Sequence, residues 1–179
     1  MSGNFAVDGN TLYVDASNNR VGIGLTNPSV ALDVSGTMNI NGRISNPNIP
    51  AFRAIINTNL SRLPGFFIEF NNAVLNRGSH YNATNGRFTV PYPGLYFFSC
   101  SLSIDQTAAT QSQVELVIYV NEVYTIGHIR GSHTNGRDTA LTVTSLAYLN
   151  TNDYVQVLVT GSTGVILENT SYFCGYYIG

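Results

Sequence analysis

No stretch of this chain repeats apolar residues at the three- and four-residue spacing of a helix, so its order must come from strands. The pattern it carries instead is alternation. Val114, Leu116, Ile118 and Val120 put apolar side chains on one face of an extended segment, and Val155, Val157 and Val159 do the same. Residues 139–149 (Thr-Ala-Leu-Thr-Val-Thr-Ser-Leu-Ala-Tyr-Leu) are rich in β-branched side chains and read as another strand. Clusters of Gly, Asn and Pro cut these runs short, as turns between antiparallel strands do. The chain is predicted to be all-β.

The organisation changes near residue 46. Before it lie the brief pieces Thr11–Asp15, Arg20–Gly24, Ala31–Ser35 and Met38–Ile44, each with only a few apolar positions. Within one chain such pieces cannot bury enough surface to offset the entropy of ordering them. Residues 1–46 are therefore expected to pair with copies of themselves. Asn46-Pro47-Asn48-Ile49-Pro50 reads as a stiff extended connector, with 47–50 as the linker proper. Residues 51–179 are about the size of a β-sandwich.

Two stretches of the second region depart from simple alternation. Leu95-Tyr96-Phe97-Phe98 is apolar on both faces, and so is Tyr172-Phe173-Cys174 with its continuation Tyr176-Tyr177-Ile178. An antiparallel sandwich strand ordinarily shows water one polar face. A second cover is needed, from another layer of the chain or from a symmetry mate, and with no helix to form a layer the mate is favoured. Cys100 and Cys174 read as small buried apolar residues, and their pairing is not legible.

Charge decides which partners are excluded. Only 10% of residues are charged, lysine is absent and the net charge is -2, so no footprint for nucleic acid or an anionic membrane exists. No apolar run is long enough to span a bilayer as a helix.

The second region resembles the globular head of the C1q and tumour-necrosis-factor superfamily. Tyr81, Gly86, Phe88, Pro91, Gly94, Tyr96 and Phe98 match the family pattern Tyr-x-x-x-x-Gly-x-Phe-x-x-Pro-x-x-Gly-x-Tyr-x-Phe at its spacing. Pro50-Ala51-Phe52-Arg53-Ala54 is similar to the opening strand, Asn152-Asp153-Tyr154-Val155 to the Gly-Asp-x-Val turn with Asn for Gly, and Phe173-Cys174-Gly175-Tyr176 to the closing motif. The resemblance implies a ten-stranded jelly-roll β-sandwich assembled as a homotrimer, with the two doubly apolar strands facing the three-fold axis. Phe52, Phe97, Tyr172, Cys174, Tyr176 and Ile178 are then the expected trimer-interface residues.

The first region resembles the stalk repeats of phage tail fibres. Leu12-Tyr13-Val14-Asp15, Asn19-Arg20-Val21-Gly22-Ile23-Gly24, Asn27-Pro28 and Leu32-Asp33-Val34-Ser35-Gly36 carry that likeness. Met1 to Asn10 shows no secretory leader, which a virion protein made in a bacterial cytoplasm does not need.

No residues are assigned to catalysis. The ten acids are scattered without a marked pair for glycoside hydrolysis, and no nucleophile elbow or phosphate loop is present. His128 and His133 are spaced for a metal only on a helix, which Gly127, Gly131 and Gly136 oppose, and His80 lacks acidic or thiol neighbours. No cofactor is expected. Relatives in the resembled family bind calcium, but no loop here has the acid density of a dedicated site, so none is assigned. Residues 121–138 read as a long loop in which Tyr124, His128, Arg130, His133, Arg137 and Asp138 offer stacking and hydrogen bonding to a ligand.

The expectation from sequence is a trimeric, non-enzymatic phage-type tail-fibre tip in the virion. It binds a host surface glycan or protein receptor through head loops and other fibre or baseplate proteins through the stalk. A structural trimerisation cap without ligand and an extracellular C1q-like adhesion or signalling protein are the alternatives.

Overall fold

In a computed structural model of the chain, residues 3–62, 65–105, 112–133, 139–161 and 165–179 are described, and all their regular elements are β-strands. The chain divides into two compact units, Met1–Ser45 and Asn46–Gly179.

The first unit is one sheet of four short strands in chain order: β1 (Phe5–Val7), β2 (Leu12–Asp15), β3 (Arg20–Ile23) and β4 (Leu32–Val34). The β1–β2 and β2–β3 pairs are antiparallel and the β3–β4 pair is parallel. Polar side chains hold the turns. The Asp15 carboxylate accepts from the Ser17 and Asn18 amides and from Asn18 Nδ2 at 2.7–3.1 Å. Those bonds, with the Asn18 side chain foremost, hold the carboxyl below its ordinary value.

The second unit is a sandwich. Its strands are β5 (Ala51–Ile55), β6 (Leu60–Arg62), β7 (Phe66–Phe67), β8 (Asn72–Arg77), β9 (Tyr81–Asn82), β10 (Arg87–Thr89), β11 (Gly94–Asp105), β12 (Ser112–Val120), β13 (Tyr124–His133), β14 (Thr139–Leu149), β15 (Tyr154–Gly161), β16 (Val165–Leu167) and β17 (Tyr172–Tyr177). One sheet runs β13-β12-β15-β10-β9, with β7 also on β15. The other runs β6-β16-β11-β17-β5-β8, with β14 also on β11. Apart from the β9–β10 and β12–β13 pairs, neighbours in each sheet come from distant parts of the chain, and all pair antiparallel, which is the jelly-roll arrangement.

Alternation fills the space between the sheets. Tyr96, Phe98, Cys100, Leu102 and Ile104 of β11 point inward, as do Leu116, Ile118 and Val120 of β12 and Val155, Val157 and Val159 of β15. Buried hydroxyls find acceptors: Tyr81 Oη donates to the Phe70 carbonyl at 3.1 Å and Tyr96 Oη to the Tyr92 carbonyl at 2.8 Å. Gly86 sits at φ +70°, where a Cβ would strike the Ile68 carbonyl oxygen, so the turn before Phe88 requires glycine.

Within residues 121–138, expected as a long loop, the described part is otherwise. Tyr124–His133 is a strand paired along β12. Its glycines, which read as loop punctuation, are close-approach positions. A Cβ on Gly127 would come within 3.0 Å of the Val143 side chain, and one on Gly131 would collide with Leu141 of β14. His128 and Arg130 therefore alternate outward from a sheet.

Candidate interaction faces

The outer face of the sheet β8-β5-β17-β11-β14 is graded along its strands. Register places Phe97 beside Leu146 on one side and Tyr176 on the other, and Leu95 beside Tyr148. Leu146 is 61% exposed and Tyr148 68%, and Tyr176 and Ile178 are also exposed, so this aromatic and aliphatic end has no cover among the described residues. The next row across the sheet is Leu75, Arg53, Cys174, Ser99 and Thr144, and the one beyond carries Ile55, Tyr172, Ser101 and Thr142. Arg53 lies over the Tyr172 ring at 5.4 Å, and Ser101 and Thr142 share a 2.9 Å hydrogen bond. The face thus passes from apolar at the Leu95–Ile178 end to hydroxyl-bearing at the other.

Of the six expected interface residues, the structure gathers Phe97, Tyr172, Cys174, Tyr176 and Ile178 on this face. Phe52 is a correction. It is 2% exposed and points into the core, stacked at 4.8 Å on Tyr81 and 4.9 Å on Phe88. The β5 residues that point outward are Ala51, Arg53 and Ile55, one step out of phase with Phe52.

The two cysteines sit on adjacent strands but opposite faces, Cys100 paired with Phe173 and Cys174 with Ser99, and both are free thiols. Burial raises the Cys100 thiol well above its ordinary value; burial raises Cys174 too, with the Arg53 guanidinium opposing. A maleimide at neutral pH is expected to leave Cys100 unlabelled in the native protein and to label it after unfolding, because a buried, protonated thiol is inert. Peptide mapping checks this, and native labelling of Cys100 would refute its placement.

The opposite sheet exposes a different chemistry. Glu115 of β12 pairs with Arg130 of β13, and His128 Nε2 lies 3.5 Å from Glu115 Oε2. Farther along, Arg87 pairs with Glu122 and lies over the Tyr154 ring at 4.2 Å. Gln156 Nε2 donates to the Asn85 carbonyl at 3.0 Å. Tyr119 meets the edge of Phe67 at 6.2 Å. The sequence reading missed Glu115, Glu122, Arg87 and Tyr154, whose grouping depends on strand order rather than on any local pattern.

Tyr124 opens β13 and is 45% exposed, its phenol raised by partial desolvation with a further push from Asp153. Arg130 stands opposite Glu115, and His128 stands one row on, opposite Val117. His133 closes the strand; Arg137 and Asp138 lie outside the described residues. His80 packs edge-on to Phe88 at 6.4 Å. Among the described residues no three His, Cys, Asp or Glu side chains converge as metal ligands, and no helix is long and apolar enough to cross a membrane.

The second unit is thus a jelly-roll sandwich with an apolar end on one outer face and charged side chains on the other. Residues 51–178 match the C1q domain family, and the chain belongs to it. It is 29% identical to mouse adipolin over 133 residues, 67% of this chain and 43% of that protein. It is likewise 29% identical to adipolin of Xenopus tropicalis, covering 58% of this chain and 36% of that one. Human complement C1q tumor necrosis factor-related protein 2 is 40% identical over 43 residues, 24% of this chain and 14% of that protein. The chain thus spans less than half the length of these relatives. Its fold is also that of the globular domain of zebrafish complement 1qA (TM-score 0.54, 17% identity, 73% of this chain and 98% of that one). An Eiger TNF from S. frugiperda is similar (TM-score 0.56, 14% identity, 74% and 94%).

These matches overturn the expected phage tail-fibre tip: the relatives are animal C1q/TNF-related proteins. The family match begins at residue 51 and leaves the supposed stalk outside it. The matches leave the likeness of residues 12–36 to a fibre repeat unsupported. Asn19 at φ 55° and Gly24 at φ 77° occupy left-handed turn positions that favour those residue types in any such sheet.

Proposed function

We propose that this chain is an extracellular, non-catalytic C1q-like adhesion or signalling protein that acts as a homotrimer. The observation that carries the reading is the uncovered apolar end formed by Leu95, Phe97, Leu146, Tyr148, Tyr176 and Ile178 on one sheet. Exposed patches of this kind mark protein–protein contacts, and C1q- and TNF-type domains form homotrimers. Three copies meeting on this face cover the apolar residues and leave the charged sheet outward. The partner is then met by the β13 side, where Tyr124, His128 and Arg130 stand exposed, and three equivalent sites add avidity to weak single contacts.

Light scattering tests the assembly: the expected mass is about three times the 19.4 kDa chain, and a single-chain mass refutes the reading. Binding to intact animal cells tests the outer site. The double substitution Tyr124→Ala, Arg130→Ala is expected to weaken it about tenfold or more at unchanged particle mass; unchanged binding removes β13 from the partner surface.

A further inference from the structure

The N-terminal sheet divides its side chains completely. Register puts Phe5 and Val7 of β1, Leu12 and Val14 of β2, Val21 and Ile23 of β3, and Leu32 and Val34 of β4 on one face. Ala6, Tyr13, Asp15, Arg20, Gly22 and Asp33 take the other. The β3–β4 connection makes its contacts on that second face. The connection from β3 to β4 brings the Leu25 carbonyl against Gly22 with no room for a Cβ. Arg20 Nη1 donates to the Pro28 carbonyl at 2.9 Å, and Ser29 donates from its amide and hydroxyl to Asp33 Oδ2 at 2.8 Å. Among the described residues no such contacts lie on the eight-residue apolar face: Phe5, Val7, Ile23 and Leu32 are each more than 40% exposed, and Leu12, Val14, Val21 and Val34 are half-buried. Met38, Ile40 and Ile44 of the following segment are exposed as well, so that segment does not cap it.

A single-layer sheet with one bare apolar face cannot hold its order in water without a second layer. We propose that this face is a second self-association surface, closed by the same face of other copies of this chain. The inference rests on the homotrimeric reading of the head. Residues 46–50 tether each sheet to a head that gathers copies, which gives the sheets a high effective concentration for one another. The face is self-complementary as well. It carries no charge or hydrogen-bonding side chain to select a different partner, while all the unit's strand charges (Asp15, Arg20, Asp33) lie on the face that stays wet.

Photo-cross-linking of the full chain tests the proposal at two aromatic positions on opposite faces. Phe5→p-benzoylphenylalanine is expected to yield species of two and three linked chains, with the links mapping to residues 5–34 of another copy. Tyr13→p-benzoylphenylalanine, on the polar face, is expected to yield background only. Links from Phe5 that fall in residues 46–179, equal yields from the two positions, or no linked chains in a particle of three-chain mass overturn the inference while leaving the head trimer standing. A single-chain mass for the unmodified protein overturns both.

Discussion

Tyr148→Glu is expected to convert a three-chain particle into single folded chains. Tyr148 is 68% exposed in the isolated chain, so a glutamate there has water around it and the monomer's stability changes by about 0.5 kcal/mol or less. In the proposed trimer the same carboxylate would lie among Leu95, Leu146 and their symmetry copies; the nearest guanidinium rows on this face are those of Arg53 and Arg77, on β5 and β8 beyond β17. Burying an unpaired carboxylate costs several kcal/mol, and each 1.4 kcal/mol is about a tenfold loss of association. Three copies enter every particle, so the loss repeats at each contact. Sedimentation velocity reads the result directly, and Thr144→Glu, at the hydroxyl-bearing end of the same strand, is the comparison expected to dissociate the particle less. Retention of the three-chain mass by Tyr148→Glu would move the interface elsewhere.

The sheet that carries this face was legible because Leu95-Tyr96-Phe97-Phe98 and Tyr172-Phe173-Cys174 are apolar at every position, so that one side fills the core and the other gives an apolar outer face. The jelly roll was legible only through the family resemblance that Gly86, Gly94 and the aromatics around them carry; alternation alone gave an all-β chain. Three features were hidden for physical reasons. β13 looked like a loop because glycine marks both a turn and a close approach between strands, and only the collision of a Gly131 Cβ with Leu141 separates the two. Phe52 was placed on the wrong face because period-two alternation leaves the phase open until a partner strand fixes it; Arg53 opposite Cys174 settles it. The apolar face of the N-terminal sheet depends on the parallel pairing of β3 with β4, which aligns Val21 with Leu32 and Ile23 with Val34 across an eight-residue connection. The viral expectation rested on residues 12–36, whereas the family and the relatives were carried by the head from residue 51 onward.

Phe52→Ala is expected to destabilise the head more than any surface change considered above. Its ring stacks on Tyr81 at 4.8 Å and on Phe88 at 4.9 Å, and meets Phe173 edge-on at 4.9 Å, joining β5, β9, β10 and β17 across the core. Gly175 belongs to the same fit: a Cβ there would lie 2.5 Å from Phe98 Cδ1 and 2.9 Å from Phe52 Cε1, so the backbone gives its space to these two rings. Removing the Phe52 ring therefore opens a cavity walled by rigid aromatics and a strand backbone already in contact, and the site has little freedom to collapse. Phe→Ala changes in such cores cost about 3–5 kcal/mol, against roughly 5–15 kcal/mol for a whole domain. Chemical denaturation of the two proteins at one matched concentration measures the difference, since assembly makes stability depend on concentration. A loss below about 1.5 kcal/mol, the range of conservative core swaps, would mean that Phe52 does not hold the central place in the aromatic core that its contacts indicate.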